Sequence, residues 1–185
     1  MQTFILTCTL LLCLFPSKLF ALSAEKEQVQ TLAINSVGGA AAAAAIRSAS
    51  GISLSGNLSM SGSAGSFDFC YRAPDSFFLR LSIGPLTVDR WYDGEHGWQR
   101  SAGGILTDFG GPELDQFLLD SRVTAMTYVR NDSRLTTRVG PDTVFEGKRV
   151  HELLLACCSD TIHLYLNPKS GHPVGKRGRV DNIVT

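Results

Sequence analysis

Four histidines, five cysteines and seventeen carboxylates are the residues of this chain with which chemistry could be built. His151 opens the segment HELLL, and a zinc-protease helix would need a second histidine where Leu155 stands. His163 follows Cys158 by five positions, so a thiolate–imidazole metal site is conceivable. Its alternation with Leu164 and Leu166 instead reads as the surface face of a strand. Asp160-Thr161 is followed by Ile162, where an aspartic-protease loop carries glycine. The chain has no G-x-S-x-G elbow, Walker loop or strand-borne G-x-G-x-x-G. Asp115 and Asp120 are five apart and do not share a helix face, while Asp89, Asp93 and Glu95 gather at a hairpin tip. The expectation is a non-enzymatic protein without metal or cofactor.

Seventeen basic residues balance seventeen acidic ones, and no basic stripe occurs, which speaks against a nucleic-acid partner. FILTCTLLLCLF is an apolar run of export-signal length, followed by the small residues of FALSA, so residues 1–23 read as a cleaved signal peptide. The preceding MQT lacks the usual basic residue. Leucine immediately before Cys13 disfavours lipidation, and a periplasmic location follows as the expectation. Cleavage leaves Cys70, Cys157 and Cys158, an odd number that reads as buried thiols rather than a disulfide framework. In a strand the vicinal pair would point to opposite faces.

The elements that would position these residues change type along the chain. In residues 24–39, Val29, Leu32, Ala33 and Val37 form a helical stripe that ends at Gly38-Gly39. AAAAAAIRS reads as a second, short helix. From GISLSGNLSMSG onward the pattern alternates: Ile52, Leu54, Leu58 and Met60 share one face and serines the other. SGSAG reads as a flexible turn, after which Phe67, Phe69 and Tyr71 align, then Phe77, Leu79, Leu81 and Ile83. Asp93-Gly94 signals a two-residue hairpin that sets Trp91 diagonal to Trp98 on one face. GGPELDQFLLDSRVTAM reads as one amphipathic helix, with Pro112 at its first turn and Leu114, Phe117 and Leu118 spaced helically. Strands resume at RLTTRVG, KRVHELLLAC and TIHLYLNP, with a turn at KSGHP and the start of a further strand beyond it. The fold class is α+β: a strongly curved, partly closed antiparallel sheet, a half-barrel, covered by a few helices. So much apolar surface on one sheet face, with few helices to cover it, suggests an enclosed pocket.

Gly38-Gly39 with Ala40 to Ile46, Arg72-Ala73-Pro74, and Asp93-Gly94 with Trp98 occur in an order that resembles a divergent branch of the LolA/LolB-like superfamily of outer-membrane lipoprotein-sorting proteins. VFEGKRVHELLL and HLYLNPKSGHPVGKR resemble later strands of the same family, so the likeness spans about residues 26–177. The resemblance implies a single domain over residues 24–185, with a concave apolar face that holds acyl chains of a lipid or lipoprotein. It also implies contact with envelope membrane proteins. The apolar positions to which the binding role is assigned are Leu54, Leu58, Met60, Phe67, Phe69, Phe77, Leu79 and Leu81, with Trp91 and Trp98 beside them. An arginine near the family's strand end helps to hold a helical lid; Arg72 is the nearest match, although Ala73 separates it from Pro74. Relatives carry further strands beyond the hairpin matched by PVGKR, so the expectation here is an open sheet edge, a shortened product lacking the C-terminal strands, or a sheet completed by a partner.

Two other readings compete. Similar domains precede retropepsin-like proteases in exported proteins, which would make this chain an accessory interaction module. Alternatively, Trp91 and Trp98 could form the stacking platform of a secreted carbohydrate-binding module, with Gln99 as its planar polar neighbour.

Overall fold

The computed structural model describes residues 24–60, 62–158 and 160–178, Met60 by its backbone alone. The expected signal peptide, residues 1–23, lies outside the described residues. Helix α1 (Ala24–Ser36) meets α2 (Ala40–Ser48) at 89°. Gly38 and Gly39 make that corner with φ of 97° and 98°, a region that glycine enters without steric cost. Both helices form where the apolar spacing and the alanine run place them. Leu32, Ala33 and Ala43 are their buried apolar residues on the core side.

A six-stranded antiparallel meander follows: β1 (Gly51–Met60), β2 (Ser63–Arg72), β3 (Ser76–Ile83), β4 (Leu86–Tyr92), β5 (Gly97–Arg100) and β6 (Leu106–Asp108). Helix α3 (Gly111–Thr124) and a 3₁₀ turn, Thr127–Arg130, then lead to β7 (Thr136–Val139), β8 (Thr143–Phe145), β9 (Lys148–Cys157), β10 (Asp160–Leu166) and β11 (Pro173–Gly178). These last strands make a second antiparallel sheet in the order β11-β10-β9-β7, with β8 also paired to β9. The fold is therefore α+β with antiparallel sheets. The strands divide between two sheets that do not close on each other, where one continuous layer was expected from the alternation alone.

Several local expectations are corrected. SGSAG is not a free turn: Ser63, Ala64 and Gly65 already belong to β2 and pair with Met60, Ser59 and Leu58. Gly65 is needed there, because a side chain would collide with the Ser82 carbonyl. The hairpin after β4 is longer than two residues. Tyr92 pairs with Gly97, and Trp91 stands directly opposite Trp98 rather than diagonal to it. The Asp93 carboxylate explains the difference, since its Oδ1 accepts the backbone N–H groups of Glu95 (2.9 Å) and His96 (2.8 Å) and builds a wider loop. Cys157 and Cys158 do not point apart either: β9 ends at Cys157, Cys158 turns with φ 57°, and their sulfurs lie 3.4 Å apart.

One cluster of buried side chains draws on every layer. Phe69, Tyr71 and Phe77 come from the first sheet, Phe117, Leu118 and Leu119 from α3, and Leu153, Leu155, Ile162 and Leu164 from the second sheet. Burial of a leucine or phenylalanine side chain contributes about 1.5–3 kcal/mol, so this cluster is what holds the sheets and helices together.

Candidate functional site

The register of the meander decides which residues share a face. Ile52, Tyr71, Phe77 and Tyr92 form one cross-strand row; Leu54, Phe69, Leu79 and Arg90 form the next, followed by Gly56, Phe67, Leu81 and Val88. Leu58, Gly65, Ile83 and Leu86 make the last. All of these point to the side on which the helices lie. The rows differ in cover: Phe69, Tyr71 and Phe77 are buried in the common core, Leu54, Phe67 and Leu79 pack at its margin, and Leu58, Leu81, Ile83 and Val88 are half-buried beyond it. Leu86 at the far end is 58% exposed. The apolar face therefore outruns the core that covers it. Gly56 keeps the floor of this region low, since a Cβ there would come within 2.9 Å of the Phe67 ring.

Of the expected site residues, Leu54, Leu58, Phe67, Phe69, Phe77, Leu79 and Leu81 are thus brought onto one face. The side chain of Met60 lies outside the described ones. Trp91, Trp98 and Arg72 are placed elsewhere. Their strand positions have the opposite parity, and they project from the outer face together with Cys70, Phe78 and Asp89. Arg72 is exposed there and makes no ion pair among the described residues, so it is not the lid contact that the family likeness implied. Trp91 and Trp98 are half-buried and line two adjoining shallow clefts of about 420 and 330 Å³, with Arg100 and Leu106 in one and Arg72 and Phe78 in the other. The Arg100 guanidinium lies 5.3 Å from the Trp91 ring centre. Beneath this surface Asp89 is 2% exposed and bonded by Arg80 (2.7 Å) and by Arg100. Hydrogen bonding from Arg80, aided by Arg100 and opposed by burial, holds its carboxyl below the usual carboxylate range. Gln99 faces inward instead, where its Oε1 accepts a bond from Arg90 Nε at 2.8 Å.

The contact between α3 and the end of the apolar sheet is ionic and was not foreseen. Arg122 of α3 donates through Nε (3.2 Å) and Nη2 (2.7 Å) to the two oxygens of Asp75, and through Nη1 to the Cys157 sulfur at 3.1 Å. Arg134 adds an ion pair to Asp75 at 3.1 Å, a bond to the Pro74 carbonyl at 2.6 Å, and a fork onto Asp132. Burial works against the charge of Arg122, but Asp75 more than offsets it, and the guanidinium pKa stands above its ordinary value. The sequence signal was an arginine between Leu118-Leu119 and Val123 of the helix. Another was an aspartate directly after a strand-ending proline.

The histidines make carboxylate pairs that alternation did not reveal: His151 Nδ1 with Asp142 at 2.7 Å, and His163 Nδ1 with the buried Glu152 at 2.8 Å. Among the described residues neither imidazole bonds a hydroxyl or thiol, and no three His, Cys, Asp or Glu side chains converge as a metal site. A cleft of about 650 Å³ between α1 and the Asn167–Gly171 turn is lined chiefly by polar groups, among them Glu27, Gln28, Asn35 and His151.

No family model, curated protein or solved structure matches the chain.

Proposed function

We propose that this protein is an acyl-chain carrier of the cell envelope, exported to the periplasm, in which the inner face of the six-stranded meander holds the apolar part of a lipid or a lipidated protein. One observation carries the reading: the apolar rows through Leu54, Phe67, Leu79 and Leu81 continue past the buried core to Leu58, Ile83 and Leu86. Monomeric folds rarely leave so continuous an apolar surface without a binding role. The resemblance to the LolA/LolB-like superfamily supports the same reading, as do three helices placed against the apolar side of antiparallel sheets; a half-barrel shape belongs to this proposal.

The physics is an exchange. Helices α1–α3 and an acyl chain both bury apolar sheet, at about 25 cal/mol per Å² in either case, so loaded and empty states lie close in energy and cargo can be released. Binding of a fluorescent fatty-acid probe tests this. The wild-type protein is expected to enhance the probe's emission saturably, and Leu54→Asp or Leu81→Asp to weaken binding tenfold or more. No saturable binding by the folded wild type would reject the carrier.

A second reading is favoured by the tryptophans alone: a cross-strand indole pair lining two outer clefts beside guanidinium groups suits a sugar ring. Glycan-array binding that Trp91→Ala abolishes would support it; an array without signal removes it. As an accessory module of a larger exported protein, the chain would use the same outer surface.

A further inference from the structure

Arg130 ends the 3₁₀ turn that follows α3, and its guanidinium carbon lies 5.2 Å from the centre of the Tyr71 ring. Tyr71 belongs to the inner face, in one row with Ile52 and Phe77. The cation thus sits at the end of the apolar face where the helices are packed, opposite the half-buried end at Leu58 and Ile83. Its backbone position is fixed on both sides by left-handed residues, Met126 (φ 55°) and Asn131 (φ 56°).

Its Nε and Nη2 are fully buried and have no hydrogen-bond partner among the described residues. Buried donors are nearly always paired, because removal of such a group from water without a partner is costly, most of all when it is charged. Other arginines of the molecule have this edge paired. Arg122 uses Nε and Nη2 on Asp75, Arg134 uses the same two atoms on Asp132, and Arg80 uses them on Asp89. That edge presents two parallel N–H groups, which match the two oxygens of a carboxylate. In Arg130 the same edge meets no acceptor among the described residues, and the guanidinium carbon lies over the Tyr71 ring.

We propose that the Nε–Nη2 edge of Arg130 receives the carboxylate of a free fatty acid whose chain lies along the inner apolar face. The inference rests on the acyl-carrier reading and narrows it to a ligand class, a single chain with an anionic carboxyl end. The direction of binding follows: head at Arg130 and Tyr71, tail toward Leu58 and Ile83. From Ile52 to Leu58 the strand offers about 20 Å of apolar track at ~3.3 Å per residue.

Titration of delipidated protein with dodecanoate and with dodecanol at pH 8 tests this. Chain length is the same and only the head differs. Wild type is expected to bind the acid at least tenfold more tightly than the alcohol, the scale of a charge-assisted pair of hydrogen bonds. Arg130→Met should bring that ratio to about one while dodecanol binding is kept, which also reports that the variant is folded. Arg130→Lys should retain part of the preference. Equal affinities in wild type, or a ratio that survives Arg130→Met, would overturn the assignment and leave the carrier reading in place. If neither ligand binds to wild type, the carrier reading itself fails and takes this inference with it.

Discussion

At the scale of single residues, buried charge is the feature with the most to lose. Asp75 is 5% exposed and serves both Arg122 and Arg134, so its removal strands a buried guanidinium. Asp75→Ala is expected to lower the unfolding free energy by about 3–5 kcal/mol in urea titrations. The paired change Asp75→Asn with Arg122→Met should cost clearly less, because it removes both charges together. Asp89 gives a pH signature. Its carboxyl is held below the usual range in the folded state, so its contribution is present above the unfolded value near about pH 4 and is lost as pH falls through the lower folded value. The wild-type urea midpoint should therefore drop below about pH 4 more steeply than that of Asp89→Asn. Cys158 is exposed, yet burial of its sulfur and the bond to Cys157 push the thiol up to about 12. At pH 8 it should react with iodoacetamide more slowly than exposed Cys70, as peptide mass spectrometry would report.

At the scale of elements, what was legible was whatever a short window can encode. The glycine pair closing α1, the alanine helix, the alternation of β1 to β4, and Pro112 opening α3 are all local signals, and these elements stand where they were read. Parity was legible too: both tryptophans do share a face. What was not legible is which of the two faces packs against helices, because that is decided by partners far along the chain. The rings at 91 and 98 are aromatic like Phe77, yet one step of register puts them on the other side of the sheet. The same limit hid Arg122–Asp75, whose partners are 47 residues apart. The short strands β6 and β8 were missed because three residues carry too little periodicity. A mutation at this scale separates the two faces: Trp98→Ala should cost about 0.5–1.5 kcal/mol of stability through the lost ring contact with His96 and leave acyl-probe affinity unchanged.

At the scale of the whole molecule, the apolar side of the sheet is larger than the core built on it. The common core takes the rows at Tyr71 and Phe69, and the rows at Phe67 and Gly65 extend past it. Such a division gives one end where Arg122 and Asp75 tie α3 to the sheet, and an apolar face along which one cover can be traded for another. Photolabelling addresses this most directly. A diazirine-bearing fatty acid is irradiated with the folded protein, and the modified residues are located by peptide mass spectrometry. The expected labels fall on the inner positions Leu54, Leu58, Phe67, Leu79 and Leu81, and an excess of unlabelled fatty acid removes them. Labels confined to Trp91, Trp98 and their outer clefts, or scattered labels that competitor does not reduce, would contradict the inner face as the place where an acyl chain is held.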